Sequence, residues 1–384
     1  MASPRLVLLL RALNPGGAQR QAVVLAKGAA RQGVDVHFVV CYGGHAFEAE
    51  VLESGIPVHN LGKSGRWDIT RFWSRLTMCL DDIKPSAVYS FLPVPNLIAS
   101  SLRLRSPRVR TVWGVRAADM DLTTYGWLPR AIFRLSAVAS GTADAIIANS
   151  EAGRVHHVAC GYPSERVTVV PNGIDTTMFK PDPAARARVR AEWQVSAAES
   201  LVGLVGRLDP VKDHPLFLRM AATIRQERSD VTFVCVGDGP SDYRRELSEL
   251  SSSLGLAPHV RWRYAMDDMP AVFNGLDVLC SSSKSEAFSN VIAEAMASGV
   301  PCAVTPVGDS ARIVGDTGVV ATGNAPGSLK HATLDVMQRP SPAAGLAARR
   351  RIERHYSVET MVTATLRIVL GDGAQPEAIV SLNA

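Results

Sequence analysis

An α/β protein built of two doubly wound, parallel-sheet domains is what this sequence predicts, and two observations carry the expectation. The chain has 384 residues, more than one hydrophobic core ordinarily supports at roughly 150 residues per domain. Apolar strand-like runs then alternate with helical periodicity in two separate series, the pattern of parallel sheets wrapped by helices.

In the first series "RLVLLL" reads as a buried strand, "NPGGAQ" as a glycine turn, "RQAVVLAKGAARQG" as a helix stopped by Gly33, and "VDVHFVV" as the next strand. Strands follow at 86–92, 109–115, 143–150 and 167–175. "KPDPAA" at 180–185 breaks the rhythm and reads as the linker. The second series has strands at 200–208, 231–239, 259–264, 277–283 and 302–308, with helices to about Glu227 and Leu254, near 268–274 and from Asn290. The expected boundaries are an N-terminal domain over 1–180, a second over 181–350, and a C-terminal helix over 351–384 that packs back on the first domain and ends in a loose tail. Ligands of such sheets bind at the carboxyl ends of the strands, here in the cleft expected between the domains.

Composition excludes several classes. Hydrophobic residues make up 47% and charged residues 20%, and no apolar run approaches the roughly 18 residues that cross a bilayer. "LVLLL" is too short for a signal-peptide core, so a cytoplasmic location is expected. Six scattered cysteines form no CxxC pair and no zinc spacing, which reads as buried free thiols. Residues 1–180 carry net +7 and the remainder −2, so the first half suits an anionic partner. No nucleic-acid module is recognisable, and none is expected as a partner.

Three stretches carry candidate chemistry. Gly16 and Gly17 follow a strand and open a helix, which fits either a tight turn or a close approach of backbone N–H groups to an anion. In "VGRLDPVKDHP", Arg207 and Lys212 follow a strand and read either as solvated charge or as a fork and a point charge for a diphosphate. In "SEAFSNVIAEAMASGVP", apolar periodicity starts a helix near Asn290, leaving Glu286 on the loop before it and Glu294 one turn inside. Ser289 or Asn290 suits the N-cap. Surface charge is the plain alternative for both glutamates.

The order of the glycine turn, "NGID", "GRLDPVKD", "VGDGP" and "SEAFSNVIAEAMASGVP" resembles the family 4 retaining glycosyltransferases, whose GT-B fold has two Rossmann-like domains facing a cleft. The resemblance covers most of the chain and is strongest over 165–308. It implies a nucleotide-diphosphate sugar in the second domain, with no other cofactor and no metal. Arg207 and Lys212 would hold the diphosphate and stabilise the charge that leaves with it. Glu286 would hold sugar hydroxyls, the Phe288, Ser289, Asn290 and Val291 backbone would support sugar and phosphate, and Glu294 would bond the ribose. Gly16 and Gly17 would close the phosphate site, and Arg263 and Tyr264 would sit by the base. The glutamates bind rather than act as a glycosidase acid and nucleophile.

One position departs from the family pattern: after "VRTVWG" many relatives carry a histidine, whereas here "VWGVRAADMD" offers Arg116, either a phosphate or acceptor contact or a salt-bridge partner of Asp119. "DMD", Asp119 to Asp121, superficially matches a metal-binding DxD of another glycosyltransferase fold and reads as a chance match. In "GKSGRWDITRFWSRLTMCL", Trp67, Phe72, Trp73 and Leu76 stand among Arg66, Arg71 and Arg75, which fits an anionic membrane surface or a helix packed on the core. "RLRSPRVR" at 103–110 adds four arginines. The expected activity is transfer of a sugar to a saccharide or lipid-linked acceptor in bacterial envelope polysaccharide synthesis, with the protein peripheral to the membrane. The alternatives are a nucleotide-sugar epimerase of the same fold and a non-catalytic sugar-nucleotide binding protein.

Overall fold

The computed structural model describes residues 3–65, 67–118, 126–339 and 341–371. Arg66, Asp119, Asp121 and the tail from 372 lie outside the described residues. The chain divides into two units, Met1–Gly173 with Val358–Ala384, and Ile174–Ser357.

In the first unit, strands β1 (Arg5–Leu10), β2 (Asp35–Val40), β3 (Val58–Asn60), β4 (Ala87–Phe91), β5 (Arg110–Val115), β6 (Ala145–Ala148) and β7 (Val167–Val169) form a parallel sheet in the order β3-β2-β1-β4-β5-β6-β7. Period-two alternation sends Leu6, Leu8 and Leu10 into one core and Val7 and Leu9 into another. The helices α1 (Gly17–Arg31) and α2 (Phe47–Glu53) cover the first face. The second lies under α3 (Ile69–Ile83), α4 (Pro93–Arg105), α5 (Trp127–Ala139) and α6 (Glu151–Ala159).

The second unit repeats the plan. Its strands β8 (Ser200–Val205), β9 (Val231–Val236), β10 (Val260–Arg263), β11 (Val278–Ser281), β12 (Cys302–Val304) and β13 (Val319–Val320) run parallel in the order β10-β9-β8-β11-β12-β13. The helices α7 (Pro183–Glu192), α10 (Met269–Gly275), α11 (Asn290–Ala297), α12 (Ser310–Val314) and α14 (Ser341–His355) pack on one face. On the other lie α8 (His214–Arg225), α9 (Ser241–Ser253) and α13 (Pro326–Gln338). In each sheet the strand order reverses once, between β1 and β4 and between β8 and β11, and these reversals are where such sheets present a ligand crevice.

Two expectations are corrected. "KPDPAA" is not the linker: Asp182 accepts hydrogen bonds from Ala184 N (2.9 Å) and Ala185 N (3.0 Å), and Pro183 opens α7. Proline has no N–H to lose in a first helical turn, so it starts this helix rather than breaking it. The chain instead passes between the units at Gly173 and returns at Val358, where Ile174 pairs in parallel with Ser357 and Ile174 N donates to Tyr356 O at 2.8 Å. Second, the C-terminal part is two helices. The first, α14, belongs to the second unit, and α15 (Val358–Leu370) buries Met361, Val362, Leu366 and Val369 in the α1 core of the first.

Of the two readings of the aromatic helix α3, core packing holds for its own aromatic side: Phe72 and Leu76 are buried, Trp73 is half-buried edge-on to Phe72, and Trp67 just before it is exposed. Of the nearby arginines, Arg75 pairs with Asp68 (2.7 Å), Arg103 with Asp144 (2.5 Å) and Arg105 with Asp81 (3.6 Å), while Arg110 donates to Ile368 O at 3.0 Å. All six cysteines are free; Cys41, Cys235, Cys280 and Cys302 are buried, and burial pushes the Cys41 thiol up to about 11. No helix among the described residues is long and apolar enough to cross a membrane.

Leu366 is 2% exposed, so Leu366→Ala should destabilise the first unit by about 2–4 kcal/mol, visible as an earlier first transition in calorimetry. An unchanged scan would remove α15 from that core.

Candidate functional site

The second sheet's carboxyl edge gathers most of the candidate residues. Beyond β8 the chain turns through Gly206 and Arg207 into a 3₁₀ turn, Pro210–Lys212. Asp209 starts that turn by accepting from Val211 N (3.0 Å), and Asp213, at φ +48°, ends it and accepts from Leu216 N (3.2 Å) to start α8. Two carboxylates capping successive turns fix the three residues between them. The loop after β11 then staples the turn: Ser282 Oγ donates to Lys212 O (2.8 Å) and Asp213 O (3.0 Å), and Lys284 N donates to Val211 O (2.8 Å).

Across this reversal Lys212 Nζ is ion-paired with Glu286 Oε1, both side chains mostly withdrawn from solvent, and Ser283 Oγ donates to the same oxygen at 2.8 Å. A cavity of about 10 Å³ lies beside them, walled in part by Ser281, Ser289 and Val291, room for one water molecule. The Glu286 backbone is held by Gly308, whose φ is +54° and where a Cβ would stand 2.0 Å from Glu286 O. Only glycine fits such an approach.

The helix that follows behaves as its pattern suggests. Asn290 begins α11, Glu294 lies half-buried one turn in, and Phe288 is buried against Tyr356 with ring centroids 5.6 Å apart. Ser289 takes the N-cap position but its side chain makes no cap bond. Arg207 is 80% exposed and reaches Asp209 at 3.3 Å.

The two residues at the end of β10 differ. Arg263 lies 5.9 Å from the Trp193 ring and donates to Trp262 O, a packing role. Tyr264 is exposed, with the Arg244 guanidinium 4.3 Å over its ring. Arg244 also donates to Gly237 O at 2.7 Å; it stands on α9 in no motif, so nothing in the sequence marks it. Gly237 is forced by close packing, since a Cβ there would lie 1.9 Å from Gly206 O.

Gly16, Gly17 and Arg116 belong to the first sheet's carboxyl edge. Gly16 precedes α1 without a side-chain cap and Gly17 is its first residue. Arg116 follows β5: it donates to Asn172 Oδ1 (2.6 Å) and Tyr89 Oη (3.4 Å), and its guanidinium lies 4.9 Å from the Phe91 ring. The motif "NGID" supplies Asn172 and its neighbours, to which the sequence alone gives no role. Gly173 exchanges two 3.0 Å hydrogen bonds with buried Gln21, and Asp175 Oδ1 accepts from Thr177 N (2.9 Å) and Met178 N (3.0 Å). Leu92, after β4, sits at φ +73°, a region costing about 1–3 kcal/mol for a side-chain-bearing residue and typical of functional edges.

Residues 15–178 match the family model described as Glycosyltransferase Family 4, and residues 199–339 match that described as Glycosyl transferases group 1. The two units are thus glycosyltransferase domains of the family 4 and group 1 type. The chain is 26% identical over 307 residues to the "Putative glycosyltransferase EpsF" of Bacillus subtilis (strain 168), spanning 78% of this chain and 79% of the relative. It is 28% identical over 292 residues to the "GDP-mannose-dependent alpha-(1-6)-phosphatidylinositol monomannoside mannosyltransferase" of Mycobacterium tuberculosis (strain ATCC 25618 / H37Rv), covering 72% and 75%. The crystal structure of Anabaena Alr3699/HepE in complex with UDP superposes with a TM-score of 0.83 at 20% identity over 94% of this chain and 98% of that one. The fold is the expected GT-B fold.

Under the Lys212 turn lies His214, the first residue of α8, fully buried with neither ring nitrogen hydrogen-bonded. Burial, and then the Lys212 charge, push its pKa from 6.5 down to about 4; burial does the same to His157. The unfolded chain takes up these protons below about pH 6.5 and the folded chain holds them off until about pH 4. The stability from neutral burial is therefore complete above pH 6.5 and is lost as pH falls toward 4. The melting temperature should drop between pH 7 and pH 5, and His214→Leu with His157→Leu should flatten that drop; an equally steep profile in the double variant would acquit both histidines.

Proposed function

We propose that the chain is a retaining, metal-independent glycosyltransferase that takes a sugar from a nucleotide-diphosphate sugar at the second sheet's carboxyl edge and passes it to a saccharide or lipid-linked acceptor in bacterial envelope polysaccharide synthesis. The observation that carries this reading is the Lys212–Glu286 pair at the β8/β11 reversal, just before the start of α11. The names of the relatives support it, one a putative glycosyltransferase and one a mannosyltransferase that uses GDP-mannose.

In this reading Lys212 and Arg207 meet the two phosphates, Lys212 as a fixed point charge and Arg207 as a mobile fork. Charge that builds on the leaving diphosphate is met by a cation already oriented, so little reorganisation is needed at the transition state. Glu286, with Oε1 turned to Lys212 and Ser283, accepts from sugar hydroxyls. The Phe288 to Val291 backbone supports sugar and phosphate, and Glu294 bonds the ribose. Tyr264, exposed and braced by Arg244, offers a face to the base, with Arg263 beside it at the end of β10. A leaving-phosphate oxygen takes the acceptor proton on the same face, so no protein base is required.

A panel of nucleotide-diphosphate sugars screened by thermal stabilisation, followed by product analysis with the best one, tests the reading. Turnover of donor without acceptor would point to an epimerase, and stabilisation with no product to a binding protein. Lys212→Ala and Glu286→Ala should each lower kcat by about 10²–10³ with the circular-dichroism spectrum of the folded parent retained below a lowered melting temperature; near-normal rates in both would remove this site. A chelator should leave the rate unchanged, and loss restored by magnesium or manganese would contradict metal independence.

A further inference from the structure

A cavity of about 650 Å³ opens at the amino ends of β4 and β5, between the last turns of α3 and α4. It lies at the opposite end of these strands from Phe91 and Arg116, and its volume is that of a small-molecule site. Leu80, Val88, Leu102 and Val109 form its apolar wall, the middle two of them buried. Such a wall leaves dispersion contacts unmade until something fills the space.

The mouth is positively charged. Lys84 and Arg108 line it, both exposed, and neither makes an ion pair among the described residues. Asp81 is the carboxylate in this lining, and Arg105 stands 3.6 Å from it. The ends of α3 and α4 add about half a negative charge each, less than Lys84, Arg105 and Arg108 supply. The cavity of about 430 Å³ farther along α3 is different: it holds Asp82, and its Arg75 is already paired with Asp68.

The backbone singles out Lys84 as well. It closes α3 at φ +51°, with its N–H donating to Leu80 O at 2.8 Å. Glycine is the usual residue at a left-handed helix end, because a side chain crowds the neighbouring carbonyl there. Strain of that kind points to a use for the side chain that bears it.

We propose that this cavity is a second ligand site, one that takes an organic phosphate monoester with an aryl or short alkyl body. The body lies against Val88 and Leu102, and the phosphate sits between Lys84 and Arg108. Arginine offers the fork and lysine the point charge that a phosphate dianion accepts. An inorganic anion leaves the wall bare, and a neutral apolar molecule leaves both cations unanswered. No residue of the second sheet's carboxyl edge takes part, so the ligand binds whether or not a sugar donor is present.

The test is calorimetric titration of the full chain with 1-naphthyl phosphate, beside 1-naphthol, 1-naphthoate and inorganic phosphate. Naphthyl phosphate should bind about tenfold or more tightly than each of the other three. Lys84→Gly and Arg108→Ala should each weaken it by about tenfold, and Val109→Trp, which fills the cavity, should remove it. Lys84→Gly places glycine where the backbone already suits it, so this variant should melt no lower than the parent, and weaker binding in it is not a sign of unfolding. Saturating UDP or GDP should leave the affinity unchanged. The proposal is overturned if naphthyl phosphate does not bind, if any of the other three binds as well, if Lys84→Gly and Arg108→Ala both bind as the parent does, or if UDP or GDP displaces the ligand.

Discussion

The ion pair between Lys212 and Glu286 is the constraint around which the second unit's edge is arranged. Its partners come from loops 74 residues apart, and what brings them together is strand order: β8 and β11 are neighbours where the sheet reverses, so the loops beyond them run side by side. A half-withdrawn ammonium costs several kcal/mol of solvation unless it is met by opposite charge and hydrogen bonds. Here the carboxylate meets it, Ser283 bonds the carboxylate, Ser282 bonds the turn's carbonyls, and Gly308 admits the Glu286 backbone. Losing any of these loosens a charge whose value lies in being held in one place.

The first unit solves a similar problem with different chemistry. Arg116 lies against Phe91 and bonds Asn172 and Tyr89, whose hydroxyl is kept neutral by burial even with the guanidinium beside it. The amide, the phenol and the ring together fix the direction of that guanidinium. The segment that supplies Asn172 also supplies Gly173, clamped by Gln21 of α1, and Asp175, which caps the next turn. One tetrapeptide thus orients an arginine, fixes the glycine helix and begins the passage to the second unit.

Much of this was legible because it is written in local pattern. Both strand series, the helix start at Asn290 and the placement of Glu286 outside it follow from periodicity and caps, which act within a few residues. The misreadings share a cause, a residue judged by its usual tendency rather than its position. Pro183 has the usual look of a breaker, although a proline in a first turn with Asp182 before it starts a helix. Trp67, Phe72 and Trp73 looked alike as aromatics among arginines, yet burial separates them. Gln21, Asn172, Arg244 and Ser283 were illegible for another reason: each acts through a partner distant in sequence or in no recognisable motif, which only the fold supplies.

The two glutamates illustrate how position decides chemistry. A glycosidase pair needs two carboxyl groups facing one bond, with one able to attack or to activate water. Glu286 sits on a loop with Oε1 occupied by an ammonium and a hydroxyl, whereas Glu294 lies eight residues on, inside a helix. A carboxylate tethered to Lys212 cannot swing toward a sugar carbon without stranding that lysine, at a cost of several kcal/mol. The same tether makes it a good orienting acceptor for a hydroxyl, because its direction is set before any ligand arrives. The Lys–Glu couple therefore works as a unit: either residue alone leaves a largely buried charge, and both together give a fixed cation with a fixed acceptor beside it.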